Sequence, residues 1–195
     1  MRLVLWPFLI LTACSLAPRR PPALHDFGPP PAETHSRTQV VVTAPTWLQD
    51  RRLRYRFLFA DPTQVRFYAD HRWIAHPPAL LQQRLSALLN SPYRLRVELH
   101  DLEQVFDTPN RSRVVLRFFA EVTASEGQSL GSRFFSLEKV TSSADVHGAL
   151  SGYAELIEHA ATSLRAWLES IHAESQAPAR TRATNSETGI GRAKK

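Results

Sequence analysis

From Tyr93 to Val122 the chain is written largely in period two: Tyr93, Leu95, Val97 and Leu99 alternate with Arg94, Arg96, Glu98 and His100. Val114, Leu116, Phe118, Ala120 and Val122 then do the same around Arg117 and Glu121. Successive side chains of a strand point to opposite faces, so the pattern demands a sheet with one face in a core and the other in water. A helix would scatter the same apolar residues around its whole circumference. Asp107-Thr108-Pro109-Asn110 supplies a polar loop between the two runs. Residues 130–140, entered from the turn-forming Ser125-Glu126-Gly127-Gln128, read as a third strand. Consecutive runs joined by short polar loops argue an antiparallel meander.

Upstream, residues 40–43 form a short β-branched run, and Leu53, Tyr55, Phe57 and Phe59 alternate with Arg54, Arg56 and Leu58. Asp61-Pro62-Thr63 is a turn, and residues 65–68 read as the returning strand of a hairpin. Pro77 and Pro78 suit the first turn of a helix, where missing amide donors cost little; Leu81, Leu85 and Leu88 follow at helical spacing, and Asn90 and Pro92 end the run. A last helix, capped by Ser142 or Asp145, presents Leu150, Tyr153, Ile157, Ala160, Leu164, Trp167 or Leu168, and Ile171 as one stripe. The expected fold is α+β: a mostly antiparallel sheet of about four to six strands with two helices packed on it, in a single domain over residues 39–174.

The ends of the chain are of another kind. Arg2 and the uninterrupted apolar residues 3–11 make an export signal. A helix over residues 3–13 rises roughly 16 Å at about 1.5 Å per residue, against a bilayer core of about 30 Å, so it does not span unaided. Leu11-Thr12-Ala13-Cys14 closes that run with the only cysteine of the chain and has the form of a lipobox. A lone cysteine supports neither a disulfide framework nor a zinc site, which leaves lipidation as its best use. Residues 1–13 are thus read as a lipoprotein signal peptide. Ser15, in the place where lipoprotein sorting reads a signal, favours the outer membrane, with the domain facing the periplasm.

Residues 14–38 carry Pro18, Pro21, Pro22, Pro29, Pro30 and Pro31 among polar residues and read as a lipidated cysteine followed by a Pro-rich linker. Its segment His25-Asp26-Phe27-Gly28-Pro29 has an aromatic and a glycine that a pure spacer does not need. Residues 175–195 have Ile190 as their one large apolar residue and read as a disordered basic tail.

The net charge of +6 invites a nucleic-acid reading, but its distribution removes it: residues 38–174 hold 15 basic and 15 acidic residues, and +4 of the excess lies in the tail. Such a tail is a solvated extension or a contact with lipid headgroups or peptidoglycan. There is no Gly-rich phosphate loop, HExxH, GxSxG or CxxC, so no catalytic residue, metal site or cofactor is expected and the protein reads as a non-enzyme. His71 and His76 flank Trp73, but a spacing of five does not place two ligands on one helix face.

The most distinctive internal stretch is residues 65–81, VRFYADHRWIAHPPALL. Trp73, pinned between a strand and a Pro-started helix, is suited to plug the end of the core; exposed, the same indole with Arg72 beside it would anchor a partner. Tyr68-Ala69-Asp70-His71-Arg72-Trp73 followed by Pro77, with Thr46-Trp47-Leu48 and Arg52-Leu53-x-Tyr55, resembles the ABC-type transport auxiliary lipoproteins. Residues 25–29 resemble that family's Tyr-x-Leu-Gly-Pro opening. His76 departs from the acidic or small residue expected before Pro77, and the tail is outside the family's core. The resemblance implies a non-catalytic outer-membrane lipoprotein docking on the MCE-domain protein of an intermembrane lipid transporter. Cys14 would be the lipidated residue, Tyr68, Arg72 and Trp73 the fold-defining or partner-facing ones, and a homo-oligomer an arrangement that a ring-forming partner would suit. The competing expectation is an envelope assembly or peptidoglycan-associated lipoprotein of similar fold.

Overall fold

The computed structural model describes residues 20–29 and 38–187. Cys14, the signal peptide and the end of the basic tail lie outside them. The described residues form a single seven-stranded sheet with two α-helices. Its strands are β1 (Ala23–His25), β2 (Gln39–Thr43), β3 (Arg52–Phe57), β4 (Asp61–Trp73), β5 (Arg94–Thr108), β6 (Arg111–Thr123) and β7 (Ser129–Val140). Helix α1 is Pro77–Leu88 and α2 is Val146–Glu187. The order across the sheet is β1-β4-β3-β5-β6-β7, with β2 also on β5.

The expected meander is β5-β6-β7, antiparallel throughout, and β3-β4 is the expected hairpin. The α+β class, the two helices and the largely antiparallel sheet are as expected; the sheet has seven strands against the four to six expected, and three of its pairings are parallel, β1 on β4, β2 on β5 and β3 on β5. β5 makes this arrangement: its 15 residues carry β2 along residues 94–98 and β3 along 104–106 of one edge, and β6 along the other. β5 is also longer than its alternation announced. Leu99 pairs with Phe118 and Asp101 with Arg117, so His100 is an extra residue that shifts the phase. Before it the odd positions face the core; after it Leu102, Gln104 and Phe106 do.

Helix α2 crosses the inner face on its expected stripe, with Tyr153, Ile157, Ala160, Leu164, Leu168 and Ile171 buried. Small residues bring it close: a Cβ on Gly152 would stand 2.9 Å from Val114 Cγ2. Asp145 caps it, its Oδ1 accepting from the Gly148 amide at 2.9 Å. The helix continues through residues 175–187, where the sequence reading has an unstructured tail. The Ala- and Arg-bearing composition there is compatible with helix once a long docked segment has nucleated it. Leu80, Leu81, Leu85 and Leu89, on and just past α1, close the core beside β2. No helix among the described residues is long and apolar enough to cross a membrane.

Candidate functional site

The stretch read as linker is part of the fold. β1 runs parallel to the end of β4, pairing Ala23 with His71, Leu24 with Arg72 and His25 with Trp73. Phe27 follows it into the core, its ring 5.0 Å from Trp73, and Trp73 meets Tyr153 of α2 at 5.5 Å. Trp73 is 2% exposed. It is therefore the plug of the core, and the alternative of an exposed indole anchor does not hold. Gly28, at φ 87°, turns the chain in the left-handed region that favours glycine, with its amide on Asp26 Oδ1 at 2.8 Å. Arg84 of α1 then closes over the turn, donating to the carbonyls of Gly28 and Pro29 while pairing with Glu158 of α2 at 2.6 Å.

Histidines line the upper side of this seat. His25 Nε2 and His71 Nδ1 share a hydrogen bond at 2.9 Å, and the His147 ring stands 5.9 Å from His71. Burial lowers the pKa of His25, with His71 and His147 adding to the effect and Asp26 opposing it. His71 belongs to strand β4. His76 is five residues away and exposed, its Nδ1 on the Gln49 carbonyl. The two histidines that flank Trp73 are not brought together, and no group of His, Cys, Asp or Glu among the described residues is arranged to hold a metal ion.

Tyr68 and Arg72 go to different surroundings. Tyr68 faces inward: its hydroxyl donates to Gln104 Oε1 at 2.6 Å, and its ring lies 4.8 Å from Tyr55. Burial, chiefly, pushes its phenol well above the usual range. Gln104 is fully buried and is the centre of a polar chain, its Nε2 donating to Ser112 Oγ at 2.8 Å and to the Asp145 carbonyl at 3.1 Å. Arg72 is half-buried near Asp50, whose carboxyl is held below its ordinary value mainly by a hydrogen bond from Arg52, with Arg72 a lesser contributor. Tyr153 was read in the stripe of the last helix, whereas Arg84, Glu158 and Gln104 were not singled out in the sequence. Gln104 had a signal, an amide at an inward position, but only once the phase shift at His100 is known.

At the far end of α2 a groove of about 1000 Å³ opens between Leu88, Leu89, Pro92 and Tyr93 on one side and Leu168 and His172 on the other. Tyr93 Oη bonds His172 Nδ1 at 2.9 Å and Ser175 Oγ at 3.2 Å, so α2 beyond its buried stripe is still attached there.

These features define a class: an α+β domain, with helices on one face of a mixed sheet, that seats its own N-terminal segment. Neither a family model nor a curated protein matches the chain. Among solved structures it is similar to a Xanthomonas campestris protein of the DUF330 family model, with 16% identity, a TM-score of 0.62, and coverage of 80% of this chain and 98% of that one. A second crystal structure, of an uncharacterized protein, gives 14% identity and a TM-score of 0.61 over 76% of this chain and 99% of that one. At such identities the likeness is one of fold.

Proposed function

We propose that this protein is a non-catalytic lipoprotein of the cell envelope, anchored through Cys14 in the outer membrane and facing the periplasm. In this reading it serves as the auxiliary component of an MCE/ABC-type intermembrane lipid transport system. The observation that supports it best is the seat of residues 23–29. A chain whose core is completed by Phe27, thirteen residues after its lipobox cysteine, is organised around its own tether rather than carrying it as a loose leader. The absence of nucleotide and nucleophile motifs from the sequence fits a component that acts by binding. A lipidated cysteine with more than one acyl chain anchors stably without a spanning helix.

Metabolic labelling with an alkynyl fatty acid tests the anchor: label on the wild type and none on Cys14→Ala, exported behind an ordinary cleavable signal, is the expected result. A Cys14→Ala protein that still pellets with outer membrane overturns it. The partner is tested by co-purification under mild detergent with the MCE-domain protein of the same cells; consistent absence of that protein defeats the transport reading while leaving the anchor intact. The second reading, an assembly or peptidoglycan-associated factor, draws on the +4 charge of the tail and the helical extension of α2. Removal of residues 177–195 spares the Tyr93 and Ser175 contact; unchanged function after that truncation dismisses the tail.

A further inference from the structure

The hairpin joining β3 to β4 ends in an apolar point. Leu58 and Phe59 are 38% and 48% exposed, and Ala60 beside them is exposed too. Their backbone is held: the Leu58 amide donates to the Phe106 carbonyl at 3.0 Å and the Ala60 amide to that of Phe57 at 3.3 Å. The Phe59 ring rests 5.4 Å from Phe57, which packs on Phe106 at 5.0 Å. The point is thus a rigid pair of large apolar side chains at the end of the sheet. Around it stand Arg56, which donates to the Pro62 carbonyl at 2.6 Å, and Arg66, over the Phe57 ring at 5.2 Å. Asp61, Asp107 with its ion-pair partner Arg113, and Arg111 also lie at this end, so the collar has mixed sign.

The direction of β1 says what this point faces. β1 is parallel to β4, and β4 starts at the hairpin. The chain before Ala23 is therefore aimed toward the end of the sheet where Leu58 and Phe59 lie. Along β4, Asp61 is ten residues from His71, the partner of Ala23, which is at most about 33 Å at ~3.3 Å per residue. From Cys14 to Ala23 is nine residues, a reach of about 28–32 Å. At full reach the two lengths match, so the chain is long enough for a lipidated Cys14 to stand at the level of the hairpin. The groove beside Tyr93 lies at the opposite end of the sheet, where β5 begins and α2 has run 25 residues from His147 to His172.

We infer that Leu58 and Phe59 form a second membrane contact, set into the headgroup boundary of the bilayer that holds Cys14. This rests on the anchoring reading above. Residues of this kind bury part of their apolar area in the interface while arginines nearby remain at headgroup level. With the lipid anchor they make two points of attachment, and two points fix orientation where one does not. The domain then stands with its β3-β4 hairpin on the membrane and its Tyr93 groove turned away, toward whatever crosses the periplasm.

The test uses the full chain processed in cells and reconstituted into phosphatidylethanolamine and phosphatidylglycerol vesicles. Cysteines are introduced singly as Ala60→Cys, Ile74→Cys at the β1 edge and Asn90→Cys at the groove, and labelled with a polarity-sensitive fluorophore. The lipidated Cys14 thiol is blocked, so the parent chain takes up no label. If it does, Cys14 is free and the anchoring reading fails, and this inference with it. With the anchor sound, roughly a two-fold drop in emission at position 60 when spin-labelled lipid is included, and none at 90, is the expected outcome for a group at the interfacial depth. Adding Leu58→Ser and Phe59→Ser should abolish the drop with the circular dichroism spectrum unchanged. Quenching at 74 but not at 60 means that the domain lies on its β1 edge, and no quenching at any position means that it hangs free; either overturns the inference alone.

Discussion

The two faces of the sheet are held by different physics. On the inner face of β6, Val114, Leu116, Phe118, Ala120 and Val122 are all fully buried beneath α2. On the outer face the same strand presents Arg113 and Arg117, which with Asp101, Asp107 and Glu138 form a row of ion pairs across β5, β6 and β7. Burial of apolar area contributes about 25 cal/mol per Å² and is not screened by salt, whereas exposed pairs are screened and contribute typically ~0–1 kcal/mol each. The inner face therefore stabilises the fold, and the outer face keeps it soluble and in register. The division is not clean: Arg54 and Glu103 are 8% and 7% exposed on their side chains, so part of the ionic row is itself withdrawn from water.

The inner face is most vulnerable at the seat of β1. Trp73→Ala removes the indole that touches both Phe27 and Tyr153, and a loss of about 3–5 kcal/mol is expected, read as a lowered urea midpoint. Phe27→Ala should cost less, and the two together less than their sum, because they share one contact. Full additivity would mean that Phe27 is not seated on Trp73 in solution.

Next in size is the inner face's own polar exception. Gln104→Ala strands the Tyr68 hydroxyl and takes one of two partners from Ser112, which keeps Thr141, and from the Asp145 carbonyl, which keeps the Ala149 amide; a cost of about 1–3 kcal/mol is expected. Gln104→Leu should recover little of it, since the shape is restored but the partners are not. A Leu variant as stable as the wild type would show that water satisfies them.

These positions were unequally legible in the sequence. The inner residues of β6 and the stripe of α2 could be read directly, because alternation and helical spacing are local consequences of burial. Tyr68 and Trp73 stood out through their composition and neighbours. β1 could not be read, because its three residues gain their strand partner from a segment 48 residues later, and three prolines on each side of it give the signature of a spacer. Parallel pairing of β2 and β3 on β5 was hidden for the same reason: nothing local records which edge a strand will meet. The second half of β5 was obscured by one extra residue at His100, which breaks the alternation into two shorter patterns of opposite phase.

Asp101 gives a smaller effect that separates the outer face from the inner one by pH. Burial, with Glu103 adding to it and Arg117, Arg54 and Arg56 opposing, raises its carboxyl to about 6 from 3.8. A carboxyl raised in the folded state disfavours folding when ionised, so its contribution to stability falls as pH rises from about 4 to about 6 and stays low above that. Asp101→Asn should flatten this part of the profile, followed as the urea midpoint at successive pH values. The slope should also weaken when Glu103→Gln removes the neighbouring charge. A profile indifferent to both changes would place Asp101 in water.

His25 gives the smallest effect, with the opposite sign in an overlapping window. Its pKa is lowered in the folded state, by burial first and then by His71 and His147, so the unfolded chain takes up its proton more readily. Stability is then lost as pH falls through about 6.5, and more steeply than in a His25→Gln variant, whose amide still reaches His71 without titrating. Because Asp101 gains on the same acid side, the two partly cancel in the wild type, and a flat profile there is no proof that neither titrates. The double variant His25→Gln with Asp101→Asn resolves it. If the groups sit as described, the singles diverge from the wild type in opposite directions below pH 6 and the double returns close to it. A His25→Gln profile that coincides with that of the wild type would mean that the β1 seat is open in solution, with His25 exposed to water.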